Sequence, residues 1–265
     1  MNAPLNIVII GAGNVAHHVT RSLQLNKTIN ITQVFNHRKT AKAKSLADTN
    51  HCALVSEYAK IDTTADIYII CVKDDAIQEV VKHLISLTLK GLVVHTSGSI
   101  ALSVLKKASP HIGVYYPLQS FSYADNIDWK HTPILIEANS TKALSLLKAI
   151  ATSVSGTVKN MPSEKRLQFH LAAVFASNFT NALYDSAFRI IKKNLSKKDT
   201  SLLLPLMTQA FGKLTRLSPK QAQTGPAMRH DKMVMKKHLE LLKSDKQLTA
   251  VYKLLSELIV SQQKT

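Results

Sequence analysis

The chain has 265 residues, 45% of them apolar, with a net charge of +17 and only two cysteines, Cys52 and Cys71. That length suits two modest domains or one large α/β unit, and the apolar fraction supplies a sizeable core. The wholly apolar runs are of strand length, which excludes a bilayer span, and two cysteines at this spacing suggest neither a disulfide framework nor a metal site.

No basic stretch followed by an apolar run and a small-residue cleavage site opens the chain, so the expected compartment is the reducing cytoplasm. Through Ile150 there are 15 Lys and Arg against 10 Asp and Glu, and from Ala151 on there are 19 against 7. This excess reads either as a lysine-rich solvated surface or as a surface that attracts an anionic ligand. Nucleic acid is not an expected partner. Few of the basic residues are arginines, and no aromatics interleave the pairs at 192–193, 197–198 and 236–237 to form a stacking platform.

Along the chain, β-rich runs at 5–10, 31–35, 67–72, 92–95, 112–115 and 134–137 alternate with helical patterns such as 14–25, 41–47 and 75–87. Several of the runs are apolar on consecutive residues, as in strands buried on both faces. Strand–helix–strand alternation predicts a mostly parallel sheet with right-handed crossovers. After Pro162 one long helical pattern runs to about Asn194, followed by helical patterns at 199–217, 232–243 and 246–262. The expected architecture is therefore an α/β, Rossmann-like domain over 1–160 and an all-helical bundle over 161–265.

The first strand leads into "GAGNVA" at 11–16. Gly11 permits the tight turn, Gly13 lets the backbone approach a pyrophosphate, and Ala16 is small enough for helix–strand packing. The N–H groups at Asn14, Val15 and Ala16 then face the anion. S-adenosylmethionine enzymes also use glycine turns, and those, like NAD sites, generally place an acid after the second strand. Here that strand ends in Asn36, His37, Arg38 and Lys39. An uncharged amide and three basic residues suit a ribose 2′-phosphate, with Arg38 able to engage it through two N–H groups, so the sequence selects NADP.

"ICVKDDAI" at 70–77 ends a strand and enters a helix capped by Asp74 or Asp75, with Val72 and Lys73 expected along the adenine-ribose side of the cofactor. "VVHTSGS" and "VYYPLQSF" bring His95, Ser97 and Gln119 to strand carboxyl ends, where open α/β sheets bind ligands. On the long helix, Arg166, His170, Ser177 and Asn181 share one face at spacings of 4, 7 and 4, with Asn178 one step round. The stripe is expected to face the cleft between the domains, with Arg166 and Asn178 on substrate and His170, His95 or Ser97 in catalysis. "AQTGPAMRHD" at 222–231 reads as a turn that starts a helix, where Thr224, Gly225 and Arg229 would hold an anion.

With these stretches in hand, the chain resembles the NADP oxidoreductases that join a Rossmann-like domain to a helical C-terminal domain of unknown function. They are relatives of pyrroline-5-carboxylate reductase and of the 6-phosphogluconate and 3-hydroxyacid dehydrogenase group. The stretches that carry the likeness are "GAGNVA", "VKDDAI", "HTSGS", "YPLQSF", "RLQFHLAAVFASNF" and "QTGPAMRHD". The resemblance implies an NADP site and a homodimer built by the helical domain. One departure stands out. The 3-hydroxyacid dehydrogenases carry a Lys on the first long helix with an Asn one turn later, where this chain shows Arg166 and His170. Of these only His170 can give up a proton at neutral pH. The expected activity is reduction of a small, anionic C=O or C=N compound, with a non-catalytic NADP sensor or assembly protein as the competing reading.

Overall fold

The computed structural model describes residues 3–264, which form two compact units that meet in the chain between Asn178 and Phe179. In the first unit the order is β1 (Leu5–Ile10), α1 (Asn14–Leu23), β2 (Ile29–Phe35), α2 (Ala41–Thr49), β3 (Ala53–Val55), β4 (Ile67–Ile70), α3 (Asp74–Ile85), β5 (Leu92–His95), β6 (Ile112–Pro117), β7 (Ile134–Ala138), α4 (Thr141–Thr152), β8 (Val158–Asn160) and α5 (Ser163–Ala173). The strands make one eight-stranded sheet in the order β3-β2-β1-β4-β5-β6-β7-β8. Neighbours pair parallel except β6 and β7, which are antiparallel.

Both faces of the sheet are covered. Ile7, Ile9, Val34, Ile67 and Ile69 pack with Ala16, Val19 and Leu23 of α1 and with Leu147 and Ile150 of α4. The alternate residues Val8, Ile10, Phe35, Tyr68 and Ile70 pack on the other side with Ile77, Val80, Val81 and Leu84 of α3. Two buried faces explain why β1, β4 and β5 are apolar on successive residues. At the β6 end, Val114 and Tyr116 point to one face with Leu135 and Met161, while Tyr115 points to the opposite one.

A π-helical turn, Val174–Phe179, follows α5 and spans the boundary between the units. The second unit contains α6 (Thr180–Asn194), α7 (Leu204–Lys213) behind a 3₁₀ stretch at Lys197–Leu203, α8 (Pro219–Ala222), α9 (Lys232–Leu242) and α10 (Lys246–Lys264). Side chains set the helix starts: Asp231 accepts the Val234 N–H at 3.1 Å, and Ser218 and Gln221 form a reciprocal capping box. His238 on α9 and the Tyr252 hydroxyl on α10 lie 2.9 Å apart. Among the described residues no helix is long and apolar enough to cross a membrane.

Candidate functional site

The dinucleotide turn has the conformation its glycines imply. Gly11 sits at φ 106°, and a Cβ there would lie 2.5 Å from the Cys71 carbonyl oxygen, so the turn is locked against the end of β4. A Cβ on Gly13, by contrast, meets no atom within 4 Å, which leaves the open approach a pyrophosphate needs. Ala16 is fully buried against the sheet. The Asn14 side chain donates to the Phe121 carbonyl at 3.0 Å, and His17 stacks on Tyr123 at 4.2 Å. The loop after β6 is thereby fastened to α1.

At the end of β2, the Asn36 amide closes a turn onto the Arg38 carbonyl, and His37, Arg38 and Lys39 are exposed. Glu57 is the carboxylate that approaches them. Lys60 holds it at 2.6 Å and, with a smaller contribution from Lys39, keeps it below the usual carboxylate range. A free acid for a ribose diol is therefore replaced by cations, and the residues fit a 2′-phosphate. Val72 packs against Gly11. Lys73 is the N-cap of α3 and neither aspartate caps it: the Asp74 carboxylate instead accepts the Ser99 hydroxyl. The expectation of an aspartate cap is corrected accordingly.

At the carboxyl ends of β4, β5 and β6 lies a crevice of about 580 Å³ whose wall includes Asp74, Ser97, Tyr116, Gln119, His170 and Asn178. Ser97 accepts the N–H groups of Ser99 at 3.1 Å and Ile100 at 3.0 Å, and its hydroxyl lies 3.4 Å from that of Ser99, which itself donates to Asp74. Nδ1 of His170 lies 3.1 Å from the Tyr116 hydroxyl. Gly98 makes that meeting possible, since a Cβ there would come within 2.7 Å of both rings. Burial, then the nearby Asp74, pushes the Tyr116 pKa up, so the phenol stays neutral. Tyr116 escaped the sequence reading, although the alternation of Val114 and Tyr116 along β6 was there to point it toward the helix.

Two sequence-predicted residues and one turn are placed otherwise. His95 is fully buried and off the crevice wall, with Nδ1 accepting the Ser97 N–H at 3.2 Å. Desolvation, then the Arg166 charge, lowers its pKa to about 4. A neutral imidazole at physiological pH is no acid, and the role of proton donor does not suit it. Arg166 is also buried, bonded to the Glu137 carboxylate, the Ile100 carbonyl and Ser163. It ties α5 to β7 and has no guanidinium edge to offer a substrate. In the turn at 224–231, Gly225 takes φ 111°, and the N–H groups of Arg229, His230 and Asp231 donate to Gly225, Ala227 and Pro226. The helix there begins only at Lys232, so the turn does not present a helix start with free N–H groups.

Residues 6–97 match the family described as NADP oxidoreductase coenzyme F420-dependent, and residues 132–259 match a domain of unknown function, DUF2520. No curated protein matches the chain. Among solved structures, BF3122 from Bacteroides fragilis, provisionally named as an NADP oxidoreductase, is 38% identical over 97% of this chain and 98% of its own, with a TM-score of 0.90. The protein TM1727 from Thermotoga maritima is 23% identical over 97% and 98%, with a TM-score of 0.71. An imine reductase from Myxococcus stipitatus, solved with NADP+, is 17% identical over 98% and 94%, with a TM-score of 0.67. The last two likenesses are of fold. The identity to the Bacteroides protein is nearly end to end, and it joins the phosphate turn, the cationic end of β2 and the crevice in one conclusion: the chain belongs to the family of NADP oxidoreductases that carry a DUF2520 C-terminal region.

Proposed function

We propose that this protein is an NADPH-dependent reductase of a small C=O or C=N compound. The reading is carried by one observation: the Tyr116–His170 pair opens on the crevice at the same sheet end as the phosphate turn. Bound NADPH supplies the hydride, and the chain's side chains supply orientation and a proton. Nδ1 of His170 is engaged by Tyr116, which leaves Nε2 as the group that delivers a proton. Ser97, Gln119 and Asn178 offer hydrogen bonds that orient the substrate. Val72 and Lys73 lie along the cofactor ribose, and residues 36–39 hold its 2′-phosphate. Two cysteines, both free thiols, support a reducing, cytoplasmic setting.

Calorimetry with NADPH and NADH tests the cofactor reading. The expected gap is about 1.5–3 kcal/mol in favour of NADPH, as for charged hydrogen bonds, or roughly ten- to a hundredfold. Changing Arg38 and Lys39 to Ala should remove most of that gap by weakening NADPH alone. Equal affinities in the unaltered protein would overturn the assignment.

A further inference from the structure

We propose that the group reduced in this crevice is a cationic C=N, an iminium, seated against the Asp74 carboxylate. The proposal rests on the reductase reading above and narrows its substrate class. It replaces the anionic substrate that the sequence suggests.

The charge inventory of the crevice points this way. The chain has 34 Lys and Arg against 17 Asp and Glu, yet among the described residues lining the crevice there is one carboxylate and no lysine or arginine. The one arginine on α5, Arg166, is consumed by Glu137. Besides Asp74 the wall offers uncharged hydrogen-bonding groups, such as Ser97, Tyr116 and Gln119, on a background of Phe169 and alanines. An anionic substrate would meet a like charge there, with His170, when it carries its proton, as the one group on that wall able to oppose it. An iminium would meet an opposite one at contact distance. Lys73 adjoins Asp74 in the chain but is not on the crevice wall, and the field of charges farther off is screened over about 8 Å at physiological ionic strength, so the local carboxylate decides.

Asp74 is also held in place for this role. The Ser99 hydroxyl donates to one of its oxygens, and the Ser99 N–H is in turn anchored on Ser97. The residue stands on the first turn of α3, separated by three residues from the end of β4, and lines the crevice with Ser97 and Tyr116. The step balances without a proton. Hydride from NADPH adds to the iminium carbon, the C=N π pair becomes the nitrogen lone pair, and the products are a neutral amine and NADP+. His170 is then needed to protonate a neutral imine or a carbonyl oxygen, and not for a preformed iminium.

The test uses the full-length protein loaded with NADP+ and three probes of one shape: N-methyl dihydroisoquinolinium, α-tetralone and tetralin carboxylate. Calorimetry should find the cation bound at least about tenfold more tightly than either of the others. Asp74→Asn should abolish that order while NADPH affinity holds. Asp75→Asn, which alters the same helix end away from the crevice wall, should leave the order intact. A flat or reversed order, binding of none of the three, or an Asp74→Asn effect confined to NADPH affinity overturns the proposal. A protein that fails to bind NADPH at all overturns the reductase reading instead, so the two failures are distinguishable.

Discussion

The Tyr116 hydroxyl and His170 Nδ1 meet only because residue 98 lacks a side chain, so three residues on a strand, a loop and a helix act as one unit. Groups that act as a unit give non-additive losses. With any C=O or neutral imine probe that the protein turns over, His170→Ala should lower kcat by about a hundredfold or more, the usual size of a general-acid effect, and leave NADPH affinity unchanged. Tyr116→Phe should cost less, since the imidazole remains but is no longer held. The double variant should be no slower than His170→Ala alone. Full activity in His170→Ala would mean that the proton comes from water or Ser97. His95 shows why the residue scale needs the structure. As a polar residue at a strand end it reads as a ligand contact, but the alternation of β5 and the packing of Arg166 bury it behind the site.

At the scale of elements, the Arg166–Glu137 pair pins α5 to β7, and Ser163 and the Ile100 carbonyl complete the cluster. Breaking one side of a buried pair leaves an uncompensated charge. Arg166→Met should therefore lower unfolding stability by about 3–5 kcal/mol, whereas adding Glu137→Leu to it should recover much of the loss. Denaturant midpoints of the two variants check this, and a single variant as stable as the parent would refute it. The sequence made the six longer strands and most helices legible, because burial on both faces writes itself as consecutive apolar residues. It left out β3 and β8, which at three residues each are too short to carry a period, and α4. A mostly parallel sheet allows for one reversed strand, but the sequence did not single out β7. The cue was the lack of a helical pattern between β6 and β7, where the structure has only a 3₁₀ turn at Trp129–His131. Without a crossover helix a strand returns antiparallel. A uniform helical period puts the polar stripe of the long helix on one face. The π turn at Val174–Phe179 bonds i to i+5 and rephases the residues beyond it, which no composition signal announces.

At the scale of the molecule, the helical unit is short of a core. None of α6, α7 or α9 has a fully buried residue among those described, and large apolar side chains such as Phe211 and Leu241 are 71% and 79% exposed. Covering six such side chains would contribute about 9–18 kcal/mol, enough to offset the cost of association. The expected state is a homodimer assembled through this unit. Light scattering at micromolar concentration should give twice 29.2 kDa, and a mass near the single-chain value would contradict it. The sheet leaves little alternative. Its two margins, β3 and β8, are stubs of three residues, and Lys159 stands exposed on β8. Short, charged margins offer a neighbour's backbone too few N–H and C=O groups to extend the ladder. The same economy that hides these strands from a sequence reader guards the protein against fibril-like growth, and it leaves association to side-chain packing, which can be selective in a way that backbone pairing cannot.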